Sequence, residues 1–343
     1  MHRKLVAGLL AATGLMAIAA TAHAQDVASF FTGKQLKLMT ASTSGGGYDA
    51  YARLLARHMS RHIPGNPTIV VQNMPGGQGV TAANYLYNKA PKDGTVFAGL
   101  QRNTGLTSFY LPEHKAVKFD PRKFIWLGSP QQEVGFLLVR TATGVKTLAD
   151  LKRLEVTASS TTRNSPNSIY ARLLNALYGS KIKVVEGYKG SQTALFALER
   201  EEVGAHVSGG TSASFRRRYR PWEKAGKVKV ILALGMDRDS EYPDVPTALE
   251  AVSGEEARRI FEIVFVEQVM GRPFVLPPGM PKDRSDALRA AFDKTMKDKE
   301  FLAEASKRNM GINPVGGARI NELLEKVYGS PAKLTQRIRE LVN

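Results

Sequence analysis

Two short glycine-rich segments are the parts of this 343-residue sequence best suited to binding chemistry. The first is Ser44-Gly45-Gly46-Gly47-Tyr48-Asp49, and the second is Pro75-Gly76-Gly77-Gln78-Gly79. Glycine lets the backbone approach a bound group closely, and the first turn of a helix presents unpaired N–H donors at the positive end of its dipole. Such a segment can hold an anion, for example a carboxylate. A plain turn is the alternative, since the first segment lacks the lysine of a phosphate loop and the spacing of a dinucleotide motif.

Polar side chains elsewhere could complete an anion site. Arginine offers a bidentate fork to a carboxylate, and hydroxyls either cap a helix or face a polar ligand. For a lone loop arginine such as Arg102, solvation is the alternative, whereas Arg163 favours ligand binding because its loop otherwise carries neutral donors. The candidates beyond the glycine segments are Arg102, Asn103, Ser160, Thr161, Thr162, Arg163, Asn164, Ser165, Tyr188 and Ser208.

Catalytic and metal-binding patterns are weak in this chain. It contains no G-x-S-x-G elbow and no H-E-x-x-H motif. His58 and His62 stand four residues apart on a predicted helix, but Arg57 and Arg61 flank them and disfavour a cation. We therefore predict no catalytic residue, no metal and no cofactor. Asp49 would be the nearest candidate acid or base, and we interpret it instead as a first-turn carboxylate favoured by the helix dipole.

Each glycine segment lies between a predicted strand and a predicted helix. A strand over residues 35–39 precedes the first segment, and an apolar stripe from Tyr48 to Met59 predicts a helix after it. The β-branched run at residues 68–72 predicts a strand before the second segment, and a helix is expected over residues 80–89. Neighbouring βα units bring such loops to the carboxyl edge of a parallel sheet, where open α/β sheets bind ligands.

The middle of the chain repeats the opening pattern. Tyr170-Ala171-Arg172-Leu173-Leu174 is identical to Tyr51-Ala52-Arg53-Leu54-Leu55, and each copy is followed by a β-branched run, a glycine-bearing loop and a helix. This agreement predicts two lobes built on one plan. We assign residues 25–127 and 255–343 to lobe 1 and residues 128–254 to lobe 2, joined by a hinge of extended segments. Residues 271–281 are predicted to be an extended connector.

The N-terminus has the pattern of an export signal. His2, Arg3 and Lys4 precede an uncharged stretch, and Ala22-His23-Ala24 is a cleavage signal, so residues 1–24 are predicted to be a signal peptide. An uncleaved anchor is the alternative. The formal net charge of +17 would fall to +15 without Arg3 and Lys4, which suits an anionic ligand or surface. The densest basic cluster, Arg216-Arg217-Arg218-Tyr219-Arg220, is either a solvated helix face or a docking patch.

The sequence contains no cysteine, which excludes a lipidated cysteine anchor, disulfides and a thiol nucleophile. We predict a periplasmic protein. Its expected partners exclude nucleic acid, and it is expected to be a monomer.

An ordered series of motifs resembles the substrate-binding proteins of tripartite tricarboxylate transporters, the TctC or Bug receptor family. The matching segments are Gly45-Gly46-Gly47-Tyr48-Asp49-Ala50-Tyr51-Ala52-Arg53, Asn73-Met74-Pro75-Gly76-Gly77, Pro91-Lys92-Asp93-Gly94-Thr95, Gly187-Tyr188-Lys189-Gly190-Ser191, Pro243-Asp244-Val245-Pro246-Thr247 and Pro277-Pro278-Gly279-Met280-Pro281. The resemblance covers nearly the whole chain after the signal peptide.

This resemblance implies an α/β, two-lobed, periplasmic-binding-protein-like fold of the Venus flytrap type, each lobe a sheet flanked by helices. It implies a solute-binding protein that captures a small organic carboxylate between its lobes and delivers it to integral membrane subunits of a transporter. The two glycine segments would hold the carboxylate. The second-lobe loop, Ser159–Asn167, departs from the family because it has neither the glycines nor the histidine that many relatives carry there, and we expect Arg163 to bind the distal end of the ligand. The alternatives are an exported α/β enzyme acting on a carboxylate and a sensing module for a membrane kinase.

Overall fold

The structure, a computed structural model, describes residues 26–110, 112–113, 115–163, 165–208 and 213–342. The predicted signal peptide, residues 1–24, and the candidate ligand residue Asn164 lie outside the described residues.

Helices and strands alternate along most of the described chain. The helices are α1 (26–31), α2 (Gly47–Met59), α3 (Val80–Asn88), α4 (Thr107–Tyr110), α5 (Pro166–Tyr178), α6 (Ser191–Glu199), α7 (Ala213–Lys224), α8 (Ala248–Ala251), α9 (Glu255–Met270), α10 (Lys282–Thr295), α11 (Lys299–Lys307), α12 (Gly317–Tyr328) and α13 (Ala332–Val342). The strands are β1 (Gln35–Thr40), β2 (Thr68–Asn73), β3 (Val96–Gly99), β4 (Ile125–Ser129), β5 (Gly135–Arg140), β6 (Val156–Ser159), β7 (Ile182–Val185), β8 (Ala205–Val207), β9 (Val228–Leu234), β10 (Phe274–Leu276) and β11 (Val315–Gly316).

The chain divides into two compact units. The first contains the described residues up to Thr104, together with Ala116–Gly128 and Arg272–Lys307. The second contains Gly105–Lys115, Ser129–Gly271 and the chain from Arg308 onward.

In the first unit, five strands lie in the order β2-β1-β3-β10-β4. The three strands β2, β1 and β3 are parallel, whereas β10 is antiparallel to both of its neighbours. Fully buried side chains, including Phe31, Leu36, Phe97, Phe274 and Phe292, form the core around this sheet. The short β10 lies within residues 271–281, so the prediction of an extended connector there was wrong. Its three residues give no alternating pattern because all three are buried.

The sheet of the second unit repeats this topology. Its strands lie in the order β7-β6-β8-β5-β9. Strands β7, β6 and β8 are parallel, and β5 is antiparallel to β8 and β9. Phe136, Leu195, Leu198 and Tyr219 belong to the core cluster that packs on this sheet. The shared order of parallel and antiparallel strands confirms the predicted structural repeat.

The units differ from the predicted lobes in two places. The prediction assigned residues 25–127 to the first lobe, but Gly105–Lys115 belongs to the second unit. It also assigned residues 255–343 to the first lobe, of which only Arg272–Lys307 belongs to the first unit. Helix α9 belongs to the second unit because its buried face meets that unit: the Tyr170 hydroxyl donates to Glu267 Oε1 at 2.6 Å. Helices α12 and α13 pack against α9, and α13 also packs against α5.

Candidate functional site

Three loops leave the same edge of the first sheet. The register pairs Thr40 at the end of β1 with Asn73 on β2 and with Gly99 on β3. Because the three strands are parallel, the segments after Thr40, Asn73 and Gly99 all begin at the carboxyl edge. This confirms the expected common edge for the two glycine loops, and it adds the loop that carries Arg102 and Asn103.

The first loop runs from β1 into the amino end of α2. Gly46 is the N-cap residue, and no side chain caps the helix. A Cβ atom at Gly46 would lie 2.7 Å from Ser42 Oγ, so the close turn favours glycine there. The first-turn N–H groups of α2 therefore lie beside a segment of bare backbone, Gly45 to Gly47, which is the arrangement expected of an anion cup.

Asp49 holds this loop in place. Its carboxylate is 2% exposed and accepts from the Gly45 N–H at 2.9 Å, from Arg53 Nε at 2.9 Å and from Asn73 Nδ2 at 2.8 Å. Burial acts to raise the pKa of Asp49, but the hydrogen bonds from Arg53, Gly45 and Asn73 outweigh it and lower the pKa. An acid held ionised by three internal donors is suited to fixing the loop and unsuited to accepting a substrate proton.

The second loop joins β2 to α3 through residues with left-handed backbone angles. The φ angles are +135° at Gly76, +52° at Gly77, +52° at Gln78 and +98° at Gly79. Added Cβ atoms would lie 2.6 Å from Thr81 Oγ1 at Gly76 and 2.8 Å from Gln101 Cγ at Gly79. Gly76 and Gly79 therefore favour glycine for both conformation and space, whereas Gln78 adopts a positive φ with a side chain. The backbone N–H groups around such turns can form concave anion sites.

Side chains tie the three loops together. The Tyr48 hydroxyl accepts from the backbone N–H of Arg102 at 3.2 Å, and Gln101 Nε2 donates to the Ala41 carbonyl at 2.8 Å. Asn103 Nδ2 lies 3.5 Å from Gln78 Oε1. The structure thus brings together the predicted residues Ser44–Asp49, Pro75–Gly79, Arg102 and Asn103 at one edge. Their contact with a ligand stays a prediction.

Arg272 is a basic residue at this edge that the sequence interpretation missed. Strand β10 runs antiparallel to β3 and begins with Phe274 opposite Gly99, so the residues just before it lie at the same carboxyl edge. The Arg272 guanidinium carbon lies 4.4 Å from the ring centre of Tyr48 and 5.6 Å from that of Tyr51. A Cβ atom at Gly47 would lie 3.6 Å from both terminal nitrogens of Arg272. No motif around residue 272 signals this position.

The second unit has an equivalent edge. Ser159 at the end of β6 pairs with Val185 on β7 and with His206 on β8. The Gly187 N–H donates to the Thr161 carbonyl at 3.1 Å, and the Tyr188 N–H donates to the Ser160 carbonyl at 3.3 Å. The loops after β6 and β7 are therefore joined directly.

The hydroxyls of this loop mostly bind each other and the backbone. Ser160 Oγ and Ser165 Oγ are 2.8 Å apart, and Ser165 Oγ donates to the Thr162 carbonyl at 2.8 Å. Ser165 is the N-cap residue of α5 but makes no side-chain cap bond. The Ser165 side chain therefore does not cap α5, although helix capping was the alternative role considered for these hydroxyls.

The remaining candidates in the second unit occupy different environments. Arg163 is exposed, and its carbonyl accepts from Arg172 Nη1 at 2.7 Å. The Tyr188 hydroxyl donates to Glu202 Oε2 at 3.1 Å. Burial is the main cause that raises the pKa of Tyr188, and this hydrogen bond is the second. Ser208 is 2% exposed, and its N–H donates to the Phe136 carbonyl at 2.7 Å. Ligand roles for these residues stay predictions.

A buried serine–histidine pair lies beneath this edge. Ser159 Oγ is 3.0 Å from His206 Nδ1 and donates to the Ala194 carbonyl at 2.6 Å. The serine proton is thus committed to a carbonyl, which leaves Nδ1 as the donor to Ser159 Oγ. Burial lowers the pKa of His206 to about 4. A neutral histidine that donates to the serine cannot remove its proton, so this pair is not arranged as a nucleophile and base.

The two other histidines of interest join helices. His58 Nε2 lies 2.7 Å from Glu304 Oε2, and His62 Nε2 lies 2.7 Å from Asp298 Oδ2. Both carboxylates belong to the segment that forms and precedes α11. Among the described residues, no group of three or more histidine, cysteine, aspartate or glutamate side chains could hold a metal ion.

The basic cluster on α7 is largely engaged within its own unit. Arg216 pairs with Asp239 and Glu241, and Arg220 Nη2 lies 2.6 Å from Glu241 Oε1. Arg218 stacks 4.1 Å above the Phe196 ring. Arg216 also lines a cavity of about 470 Å³ in the second unit, formed mainly by segments 131–134, 236–241 and 311–313. None of the predicted ligand residues lines this cavity.

Comparison with known proteins identifies the class. The chain aligns over 91% of its length with a solved TctC solute-binding protein from Polaromonas, covering 98% of that chain at 19% identity and a TM-score of 0.66. It aligns with R. palustris Rpa4515, solved with adipate, over 90% of this chain and 97% of that one, at 19% identity and a TM-score of 0.61. The fold is therefore the two-lobed, periplasmic-binding-protein-like fold of solute-binding proteins.

The family follows from the sequence match. The model of the tripartite tricarboxylate transporter family receptor matches residues 51–322. A Cupriavidus necator relative, described as "UPF0065 protein in gbd 5'region", is 26% identical over 313 residues, covering 89% of this chain and 87% of the relative. The chain belongs to the tripartite tricarboxylate transporter receptor family. In the part of the chain that is described, no helix combines the length and apolar character needed to span a bilayer.

Proposed function

We propose that this protein is an exported receptor that captures a small organic carboxylate for the membrane subunits of a tripartite tricarboxylate-type transporter. The observation that carries the proposal is the convergence of two glycine loops and a helix amino terminus at one edge of the first sheet. Membership of the receptor family and the adipate in the solved relative support the same ligand class.

The chemistry of the edge suits an ionised oxygen acid. Backbone N–H donors of the Ser44–Asp49 and Pro75–Gly79 loops supply neutral hydrogen bonds, and the dipole of the 13-residue helix α2 adds a positive end. The loops are fixed before ligand arrives, because Asp49, Tyr48 and Gln101 bind them to one another. Preorganised donors bind an anion without an ordering cost at the moment of binding.

The second cluster, Ser160–Ser165 with Tyr188 and Ser208, is proposed to contribute further ligand contacts, with Arg163 as the charged member. Residues 1–24 are proposed to direct export and to be removed, so the mature chain would begin at Gln25. A periplasmic location and a monomeric state belong to the same proposal. Amino-terminal sequencing of the exported protein tests the processing step.

A thermal-shift screen of the mature chain against acetate, benzoate, malate, adipate and citrate tests the proposal, followed by calorimetry on the acids that respond. At least one carboxylate should raise the unfolding midpoint, because a ligand that binds only the folded state stabilises it. The diamide of adipate serves as the uncharged control. If no acid in a broadened carboxylate panel raises the midpoint, the receptor proposal is wrong.

The Gly79→Ala variant tests whether the carboxylate binds at the glycine loops of the first unit. An alanine there combines a φ of +98° with a Cβ only 2.8 Å from Gln101 Cγ, and Gln101 holds the first loop. We expect roughly a tenfold or greater loss of affinity, the scale of one hydrogen bond to a charged group. Gly33→Ala is the matched control, since φ is +69° there but nothing lies within 4 Å of the added carbon. Equal affinities in the two variants would place the ligand elsewhere.

A further inference from the structure

We propose that the buried hydroxyl of Thr104 donates a hydrogen bond to the ligand carboxylate beside the second glycine loop. This inference rests on the proposed function, which it deepens by assigning a side-chain contact that the candidate ligand residues do not include. No residue of the described chain partners this hydroxyl, and the bound acid would supply the acceptor.

Two serine or threonine hydroxyls in the described part of the chain are buried without a hydrogen-bond partner, and both belong to the first unit. Thr40 is fully buried at the end of β1, and Thr104 is 1% exposed in the 3₁₀ turn Arg102–Leu106 that follows β3. Both therefore lie at the carboxyl edge from which the glycine loops leave the sheet. An unpaired buried hydroxyl costs free energy in the folded protein, so its occurrence at this edge calls for a physical reason.

Thr295 shows how a buried threonine of the same unit is satisfied. It is fully buried in α10, and its hydroxyl donates to the Ala291 carbonyl, four residues earlier, at 2.7 Å. Threonine in helical backbone commonly makes this bond. Thr104 makes no such bond to any described residue, although its N–H donates to the Gln101 carbonyl, three residues earlier, at 3.0 Å. The Thr104 hydroxyl proton is therefore not committed to the local backbone.

The Thr104 hydroxyl lies beside the bare backbone of the Pro75–Gly79 loop. Its Oγ1 atom is 3.4 Å from the point that a Cβ atom would occupy at Gly79. Gly79 is the N-cap residue of α3, so the first-turn N–H groups of that helix follow it directly. A carboxylate on those N–H groups would lie next to the hydroxyl, and a hydroxyl that donates to an ionised oxygen makes a strong, charge-assisted hydrogen bond.

The turn that carries Thr104 is held against both glycine loops. The backbone N–H of Arg102 donates to the Tyr48 hydroxyl at 3.2 Å, and Asn103 Nδ2 lies 3.5 Å from Gln78 Oε1. These contacts fix the two residues that precede Thr104. Its hydroxyl is therefore positioned before the acid arrives, and a preorganised donor adds affinity without an ordering cost.

Thr104→Val tests the inference, because valine replaces the hydroxyl by a methyl group of nearly the same shape. The unfolding midpoint of the mature chain without ligand should stay the same or rise, since the variant buries no unpaired hydroxyl. Calorimetric titrations use the acid from the panel of acetate, benzoate, malate, adipate and citrate that binds most tightly. We expect the dissociation constant to rise about tenfold or more, the scale of one hydrogen bond to a charged group.

Thr295→Val is the matched control, because it makes the same exchange at a buried threonine of the same unit whose hydroxyl has an acceptor. It should lower the unfolding midpoint and leave the dissociation constant unchanged. Thr104→Ser keeps the hydroxyl and loses the methyl group, so it should bind the acid more tightly than Thr104→Ala. If Thr104→Val is too unstable for titration, the comparison of the serine and alanine variants decides the question.

The outcomes separate this inference from the proposed function. Wild-type binding with an unchanged dissociation constant in Thr104→Val, or equal dissociation constants in Thr104→Ser and Thr104→Ala, would overturn the role of Thr104 and leave the carboxylate receptor standing. A midpoint lowered as much in Thr104→Val as in Thr295→Val would also overturn it, because the hydroxyl would then have its partner before the acid binds. Absence of wild-type binding to every acid in the panel would overturn both.

Discussion

Single residues decide what the buried polar groups of this protein can do. Asp49, the most plausible acid or base in the sequence, accepts three internal hydrogen bonds that lower its pKa. His206, the most buried histidine of the described residues, is neutral and donates toward Ser159. Asp49 holds a loop at one sheet edge, and His206 contacts the last residue of β6. Neither residue is arranged as the acid or base that the enzyme alternative would need.

We predict that Arg163 is the charged ligand contact of the second unit. Arg163→Ala should weaken binding of the best carboxylate by about 1.5–3 kcal/mol, the scale of a hydrogen bond to a charged group. Isothermal titration calorimetry measures the change. Arg153→Ala is the control, because Arg153 is an exposed arginine of the same unit that pairs with Asp150. Equal affinity of wild type and Arg163→Ala would reject the proposed role.

At the scale of elements, the carboxyl-edge loops owe their position to the sheets. In each unit the three parallel strands, numbered by their order in the chain, lie in the order second, first, third. An antiparallel strand lies beside the third. In the first unit that inserted strand, β10, brings Arg272 to the carboxyl edge of β3. The order of strands, more than any local motif, therefore decides which side chains meet.

An acidic residue just before α11 joins that helix to the 3₁₀ turn Ser60–His62, which follows α2. Asp298 accepts from Arg61 Nη2 at 2.6 Å, from His62 Nε2 at 2.7 Å and from the Phe301 N–H at 3.0 Å. The hydrogen bond from Arg61 is the largest cause of a pKa well below the ordinary 3.8, with burial opposing it. A lowered pKa means that the ionised acid stabilises the fold above pH 4 or so and that this contribution is lost as the pH falls further.

Asp298→Asn should therefore lower the free energy of unfolding by about 1 kcal/mol at pH 7, since the partner Arg61 is partly solvated and screening reduces the pair. The variant should also lose less stability than wild type between pH 5 and pH 3. Urea unfolding at several pH values measures both effects, with exposed Asp237→Asn as the control. Parallel pH profiles for wild type and Asp298→Asn would contradict the assignment.

At the scale of the whole molecule, both units are assembled from separated segments of the chain. Residues 272–307 join the first unit, whereas the final helices α12 and α13 join the second. Arg172 secures this last segment by donating to the Val342 carbonyl at 2.5 Å. Arg172 is the counterpart of Arg53 in the repeated five-residue motif, so the two copies of one arginine hold different partners.

Ile338→Ala tests the assignment of the C-terminal helix. Ile338 is fully buried in α13, which packs on α4, α5 and α9. We expect a loss of about 2–5 kcal/mol in stability, the usual cost of such a truncation. Hydrogen exchange should show the loss of protection in α5 and α9 before β1–β3. Leu302→Ala, at a 39% exposed position in α11, is the control. Greater loss of protection in β1–β3 than in α5 would contradict the assignment.

The sequence by itself determined the elements around the glycine loops and the repeat of the two units. Strand β2, helix α3 and helix α2 were predicted to within about two residues, because their periodicity and their glycine boundaries are local signals. The family was also recognisable from ordered motifs. These features depend on neighbouring residues, so a linear pattern records them.

Only the tertiary structure decided the place of β10, the unit to which α9 belongs and the position of Arg272. Strand β10 has three residues and exists because it pairs with β3 and β4, and α9 is apolar over most of its surface, which predicts burial without naming the partner. These outcomes depend on contacts between residues far apart in the chain, and such contacts produce no local sequence pattern.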